Sequence, residues 1–261
     1  STKPVDTSNM ALLCELSQQH VCLAIADTST KTLQQLSYYE LKNGLAPETV
    51  SDILKAENVD VTKIRRIILS NASREIVVVP ASYFNEASAR RFYTATYGNT
   101  INTFFYNDVT EHNVVVVHTL PQTVMNSLKS SYNIEVNHLY CCQLILNRNF
   151  ADQIAVHFTS KEIYVIAIKE EQLKLVQTYL YSAPLDVVYY LLSICQQYGF
   201  GQTETAIILS GLISSDSAMY KEVYQYFSNV HFWKAPAKGS LQSDDPQHFF
   251  SSLYNLAACA L

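Results

Sequence analysis

The sequence predicts an α/β protein made of two copies of one unit, and three observations carry that prediction. The run Ile67-Ile68-Leu69-Ser70-Asn71 returns 140 residues later as Ile207-Ile208-Leu209-Ser210-Gly211, each copy ending in a turn former. An Ala-Pro pair, a common opening for a helix, precedes each copy at Ala46-Pro47 and Ala183-Pro184, offset by 137. Upstream again, two alternating segments joined by a tight polar turn lie at residues 13–25 and 155–167, offset by 142 so that Glu15 falls on His157. Recurrence in the same order at near-constant spacing marks a duplication rather than a chance identity.

Taken in order, residues 12–17, 21–27 and 32–41 alternate apolar and polar positions between short polar breaks, which predicts three strands in a meander. Pro47 at the first helical position, Glu48 in the first turn, and Val50, Ile53 and Leu54 at helical spacing predict a helix to about residue 57. The near-continuous apolar run at 64–70 predicts a parallel strand buried on both faces. The right-handed crossover rule places it beside the first strand. Residues 72–120 have no counterpart in the second half and read as an inserted subdomain, with strands at 75–79, 102–106 and 113–118 and a helix at 85–97. The unit then resumes with a helix at 121–132, a short strand at 134–136 and a helix at 138–147. The second copy gives strands at 153–159, 162–168 and 173–181, a helix at 185–198 ended by Gly199, a strand at 205–209, a helix at 216–228 and a strand at 230–233. A polar loop at 234–247 leads to the terminal helix. The helix at 185–198 is apolar nearly all round, which predicts that it is enclosed. The expected domains are 1–150, including the insertion at 72–120, and 151–261.

Charged residues are only 16% of the 261, so much of the surface must be Ser, Thr, Asn, Gln and Tyr. A net charge of -5 gives no general attraction to nucleic acid or to an anionic membrane. The six cysteines form no C-x-x-C pair and no zinc spacing, so reduced thiols and a cytoplasmic location are expected. Residues 1–10 lack the basic then apolar order of a signal peptide, and no uncharged apolar run is long enough to span a bilayer.

Three antiparallel strands, then helix, parallel strand, helix, parallel strand and helix, present twice, is similar to the plan of the actin, sugar-kinase and heat-shock-70 superfamily, whose halves are ribonuclease-H-like. The whole chain resembles an uncharacterised Bacteroidetes family with an actin-like ATPase fold. It is similar in layout to the actin-like proteins of type IV pilus assembly and of bacterial cell division, which also insert a subdomain after strand four of the first half. Residues 113–146 are the part most similar to the pilus-assembly proteins.

The resemblance implies a specific chemistry. In active members the first hairpin of each half carries an Asp, a Gly and a small hydroxyl residue, because Gly lets backbone N–H groups close on phosphates and the Asp serves Mg²⁺ or the attacking water. Here the hairpins read Glu15-Leu16-Ser17-Gln18-Gln19 and His157-Phe158-Thr159-Ser160-Lys161, with no Gly in either and His in place of the second Asp. The adenosine motif is reduced to Ser210-Gly211-Leu212, and the whole chain has only six glycines. The expectation is a non-catalytic protein-binding or scaffold protein with no cofactor and no metal. The alternative is a divergent Mg-ATP protein using Glu15, Ser17, His157, Thr159, Ser160 and Gly211. Glu15 and His157 read either as a relic acid/base pair or as hairpin residues at a cleft without substrate. Arg74, Arg90 and Arg91 in the insertion read either as a docking surface for an acidic protein partner or as a solvated face, and Tyr220, Tyr224 and Tyr226, at helical spacing, either as packing or as an exposed stripe. The partner's identity and any homo-oligomer stay open.

Overall fold

The computed structural model describes residues 10–30, 32–59, 64, 66–129, 133–146, 152–235 and 246–261. Two compact units emerge from its contacts. The first holds the described residues up to Cys142 together with Ser252–Leu261, and the second those from Gln143 to Ala235 with the described residues up to Ser251.

In the first unit, strands β1 (Met10–Leu16), β2 (His20–Asp27) and β3 (Thr32–Glu40) form the meander, α1 (Thr49–Ala56) crosses over, and β4 (Arg66–Asn71) follows. After the insertion come α3 (Gln122–Lys129), β8 (Asn133–His138) and α4 (Leu139–Leu146), whose residues from Gln143 on are counted with the second unit. The sheet order is β3-β2-β1-β4-β8. β4 runs parallel to β1, as the crossover rule requires. Leu12, Leu16, Val21 and Leu23 on one face of this sheet pack with Val50, Ile53 and Leu54 of α1 and with Val124, Met125 and Leu128 of α3.

The insertion is an antiparallel sheet of β5 (Ile76–Pro80), β7 (Val114–Leu120) and β6 (Thr103–Val109), in the order β5-β7-β6, with α2 (Glu86–Tyr97) on one face. The Asn85 side chain accepts the Ser88 N–H at 2.9 Å to start α2, and Gly98 at φ 88 ends it. Ala89 and Tyr93 of α2 close over Val79, Val115 and Val117.

The second unit repeats the plan with β9 (Gln153–Phe158), β10 (Glu162–Lys169), β11 (Gln172–Leu180), α5 (Pro184–Tyr198), β12 (Ala206–Gly211), α6 (Ala218–Tyr226) and β13 (Val230–Phe232), in the sheet order β11-β10-β9-β12-β13. The correspondence reaches single residues. Each meander has one register shift, between Ile25 and Ala26 in the first and between Ala167 and Ile168 in the second. Those positions differ by 142, the offset that aligns Glu15 with His157. The chain closes with a 3-10 turn at Gln247–Phe250 and α7 (Ser251–Ala260).

Three expectations change. Pro47, expected at the first helical position, precedes the cap, because α1 begins at Thr49 with Glu48 at its N-cap. The helix expected from 216 starts at Ala218, because the Ser217 hydroxyl accepts the Tyr220 N–H and makes Ser217 the cap. More consequentially, α5 is not enclosed. Val187, Val188, Leu191, Ile194 and Cys195 are buried, whereas Leu185 is 57% exposed and Tyr189 68% exposed. Apolar character on every face of a helix states what each face can tolerate, and the fold covers only one of them. Arg65, residues 130–132 of the expected helix and 236–245 of the expected polar loop lie outside the described residues. Among the described residues no helix is long and apolar enough to cross a membrane.

Candidate functional site

The two meander hairpins, which the resemblance marks as candidate ligand positions, are both closed by their own side chains. In the first, the Ser17 N–H donates to His20 O at 3.0 Å. The Ser17 hydroxyl oxygen then accepts the N–H groups of Gln19 at 3.0 Å and His20 at 2.8 Å. In the second, the Thr159 N–H donates to Glu162 O at 2.9 Å, and the Thr159 hydroxyl accepts the Glu162 N–H at 3.1 Å. The same small hydroxyl residue at the same repeat position thus satisfies the turn internally. A phosphate cradle needs those N–H groups aimed outward.

Glu15 sits in β1 rather than in the turn, only 1% exposed, and its Oε1 lies 2.6 Å from His20 Nε2. Ser17 Oγ accepts the Gln19 and His20 N–H groups and lies 2.9 Å from His20 Nδ1 and 3.2 Å from His20 O, the two acceptors within reach of its own proton. The 2.6 Å contact puts an Nε2–H donor on the Glu15 carboxyl. Tyr38 stacks on the imidazole with centroids 5.4 Å apart. The donor atoms of Glu15, His20 and Cys22 all lie within 4.8 Å of one another. Mg²⁺ does not fit this set, because it wants octahedral oxygen and finds one carboxylate beside an imidazole and a thiol. Zinc suits the donor types, but it would move the ring proton to Nδ1, facing a Ser17 oxygen that is already filled. Burial, aided by the Glu15 charge, also pushes the Cys22 thiol well above its usual range, away from the thiolate a metal binds.

The second unit carries the same two positions with acid and imidazole exchanged: His157 stands where Glu15 does, and Glu162 where His20 does. His157 Nδ1 lies 3.1 Å from Ser210 Oγ and 3.3 Å from Ser251 Oγ. Tyr164 meets the His157 ring edge-on and gives its hydroxyl proton to Glu162 Oε2 at 3.0 Å. All of these side chains are buried. Glu15 belongs to the first unit and His157 to the second. Ser160 is exposed at the turn.

Gly211 answers a backbone demand. It ends β12 at φ +78, and a Cβ there would lie 2.1 Å from the carbonyl oxygen of Phe158, its ladder partner on β9. In the first unit Asn71 holds the corresponding place, opposite Leu16.

A family model described as "Protein of unknown function (DUF3822)" matches residues 1–230. The chain belongs to the DUF3822 family. Among curated proteins no sequence matches it. A solved Bacteroides thetaiotaomicron VPI-5482 protein with an actin-like ATPase fold and unknown function is similar, with a TM-score of 0.77 and 17% identity over 95% of this chain and 96% of that one. The PilM-PilN type IV pilus biogenesis complex supplies a second similar chain, with a TM-score of 0.64 and 10% identity over 95% of this chain and 98% of the other. At these identities the likeness establishes the actin-like ATPase fold.

In this DUF3822 member the arginines of the insertion have separate surroundings. Arg90 donates from Nε to the Tyr106 hydroxyl at 2.8 Å, and its guanidinium lies 4.6 Å from the centre of the Phe104 ring, so it covers the subdomain's own sheet. Arg91 reaches Ser88 Oγ at 3.3 Å, and Arg74 is exposed near Tyr97. Arg66, outside the insertion, pairs with Glu135.

Sequence reasoning missed a buried polar network inside the first unit. Asn71 Nδ2 donates to His118 Nδ1 at 2.8 Å and to Thr119 O at 3.0 Å. His118 Nε2 gives its proton to Asn107 Oδ1 at 2.7 Å, and the same oxygen accepts the His138 N–H at 3.0 Å. His138 Nε2 donates to Ser73 O at 2.8 Å, while its Nδ1 accepts the Tyr140 N–H at 3.2 Å. Each imidazole therefore has a donor aimed at its unprotonated nitrogen, which leaves no place for a second proton. Burial pushes His138 down to about 4 and His118 well below its ordinary value. The network ties β6 and β7 of the insertion to the ends of β4 and β8.

Proposed function

We propose that this DUF3822 member is a non-catalytic actin-like-fold protein that acts by binding another protein. The observation that carries the reading is the use of Ser17 and Thr159 as internal acceptors for the turn N–H groups that a nucleotide phosphate would need. The reading is supported by Glu15 being turned to His20 and by Gly211 serving the approach of β12 to β9. On the partner side, PilM is a structural relative whose printed description is a complex with PilN. The insertion exposes Tyr83, Phe92 and Ile101 alongside Arg74 and Arg91, a mixture typical of contact surfaces.

Thermal unfolding with and without Mg-ATP, Mg-ADP and Mg-GTP tests the reading. A ligand at a hundredfold excess over its Kd adds about 2.7 kcal/mol, which is roughly 5 to 10 °C for a chain of this size. No shift with any of the three is the expected result. A shift of that size that vanishes in Glu15→Gln would establish a nucleotide site and overturn the proposal.

A further inference from the structure

Two cysteine side chains from distant parts of the sequence meet inside the first unit. Cys142 lies near the start of α4 and Cys259 in the last turn of α7, 117 residues apart in the chain. The Cys259 thiol donates to Cys142 O at 3.7 Å, and the two sulfur groups are themselves in hydrogen-bond contact. Cys141, next in the chain, is engaged elsewhere, since its thiol donates to Asn107 Oδ1 at 3.6 Å. Solvent reaches the two partners unequally. Cys142 is 3% exposed, whereas Cys259 is only half-buried.

Their acidities differ in the direction that a redox pair needs. The Cys142 thiol beside it holds Cys259 below the ordinary thiol range, against the effect of its partial burial. The same contact, together with burial, holds Cys142 well above that range. Burial raises Cys14, Cys22 and Cys195 and pushes Cys141 up to about 12. Cys259 is therefore the cysteine that most readily supplies a thiolate, and the thiolate is the form that attacks an oxidant. Next to it stands a protonated thiol able to close on the oxidised sulfur.

We infer that Cys259 and Cys142 form a peroxide-responsive disulfide, with Cys259 as the attacking sulfur and Cys142 as the resolving one. The oxidant is hydrogen peroxide. The Cys259 thiolate attacks one peroxide oxygen, an S–O bond forms as the O–O bond breaks, and the departing hydroxide takes up the thiol proton as water. Cys142 then attacks the sulfenic sulfur, so that the S–S bond forms, the S–O bond breaks, and hydroxide leaves with the Cys142 proton as a second water. The two thiols lose two electrons and the peroxide gains them. The bond fixes the last turn of α7 against α4 and closes a covalent loop that contains all of the described second unit.

The full chain, treated with a small excess of hydrogen peroxide and then alkylated, is mapped by peptide mass spectrometry. The expected result is the loss of two free thiols and of about 2 Da, a linked peptide pair holding Cys142 and Cys259, and full reversal by dithiothreitol. In Cys142→Ala, dimedone should trap a sulfenic acid at Cys259, and in Cys141→Ala the disulfide should form as in the wild type. The wild-type map needs no variant to fold. The proposal is overturned if the wild type keeps all six thiols, if another pair of cysteines or two separate chains become linked instead, or if Cys142→Ala leaves Cys259 unmodified.

Discussion

Lowering the pH from about 7.5 to about 5 should destabilise the first unit, and the loss can be worked from His138. Its folded value is about 4, against about 6.5 in an unfolded chain. A histidine depressed on folding is bound by fewer protons in the native state, so its stabilising contribution is complete above about 6.5 and is lost as pH falls toward 4. At about pH 5 the unfolded form is almost fully protonated and the native form about one-tenth so, which costs roughly 2 kcal/mol; below 4 the loss reaches roughly 3 kcal/mol. His118 is shifted the same way by burial and by the neighbouring His138, and it adds to the loss. The assay is urea unfolding at a series of pH values, with the slope of stability against pH giving the difference in bound protons. His138→Gln supplies the control, since its amide can donate to Ser73 O and accept from Tyr140 N–H without titrating. It should flatten the dependence by about one proton between pH 6.5 and 4.5. His248, also lowered by burial, acts equally in both proteins and cancels. Identical slopes in wild type and variant would refute the assignment.

Two further substitutions probe the hairpins and the strand end. Gly211→Ala meets both a left-handed backbone and the Phe158 carbonyl, so a loss of about 3 kcal/mol or more is expected. Gly98→Ala, at φ 88 and ψ 177 with nothing within 4 Å, carries the strain of a backbone region nearly exclusive to glycine and no steric clash, and should cost about 2 kcal/mol. Equal losses in chemical denaturation would show that the β12–β9 approach relaxes. Ser17→Ala leaves the Gln19 and His20 N–H groups without their acceptor and should lower stability by about 2 kcal/mol. An unchanged urea midpoint would mean that water replaces the hydroxyl, and the turn N–H groups would then be open to a ligand after all.

Much of the architecture was legible because it rests on local and repeated signals. Strand alternation, the Ala-Pro helix starts and the recurring Ile-Ile-Leu-Ser run sufficed to place the duplicated unit, and the crossover rule set β4 beside β1. The missing hairpin glycines could be read directly, because a residue's conformational freedom belongs to the residue itself. The Glu15–His20 pair was within reach too: five residues apart across a tight turn, both side chains fall on one face of the hairpin.

Other features depend on what the fold brings together. Asn71 and His118 are 47 residues apart, and Asn107 and His138 are 31 apart, so their meeting depends on where the insertion docks. No periodicity within any one segment encodes that. The same limit explains α5. Its sequence states that every face is apolar, but whether a face is buried depends on what lies against it, and the folded unit covers only the side holding Val188, Leu191 and Ile194. Side-chain type and backbone preference are properties of a short segment, whereas burial and long-range hydrogen bonding belong to the packed whole, where distant residues acquire their surroundings.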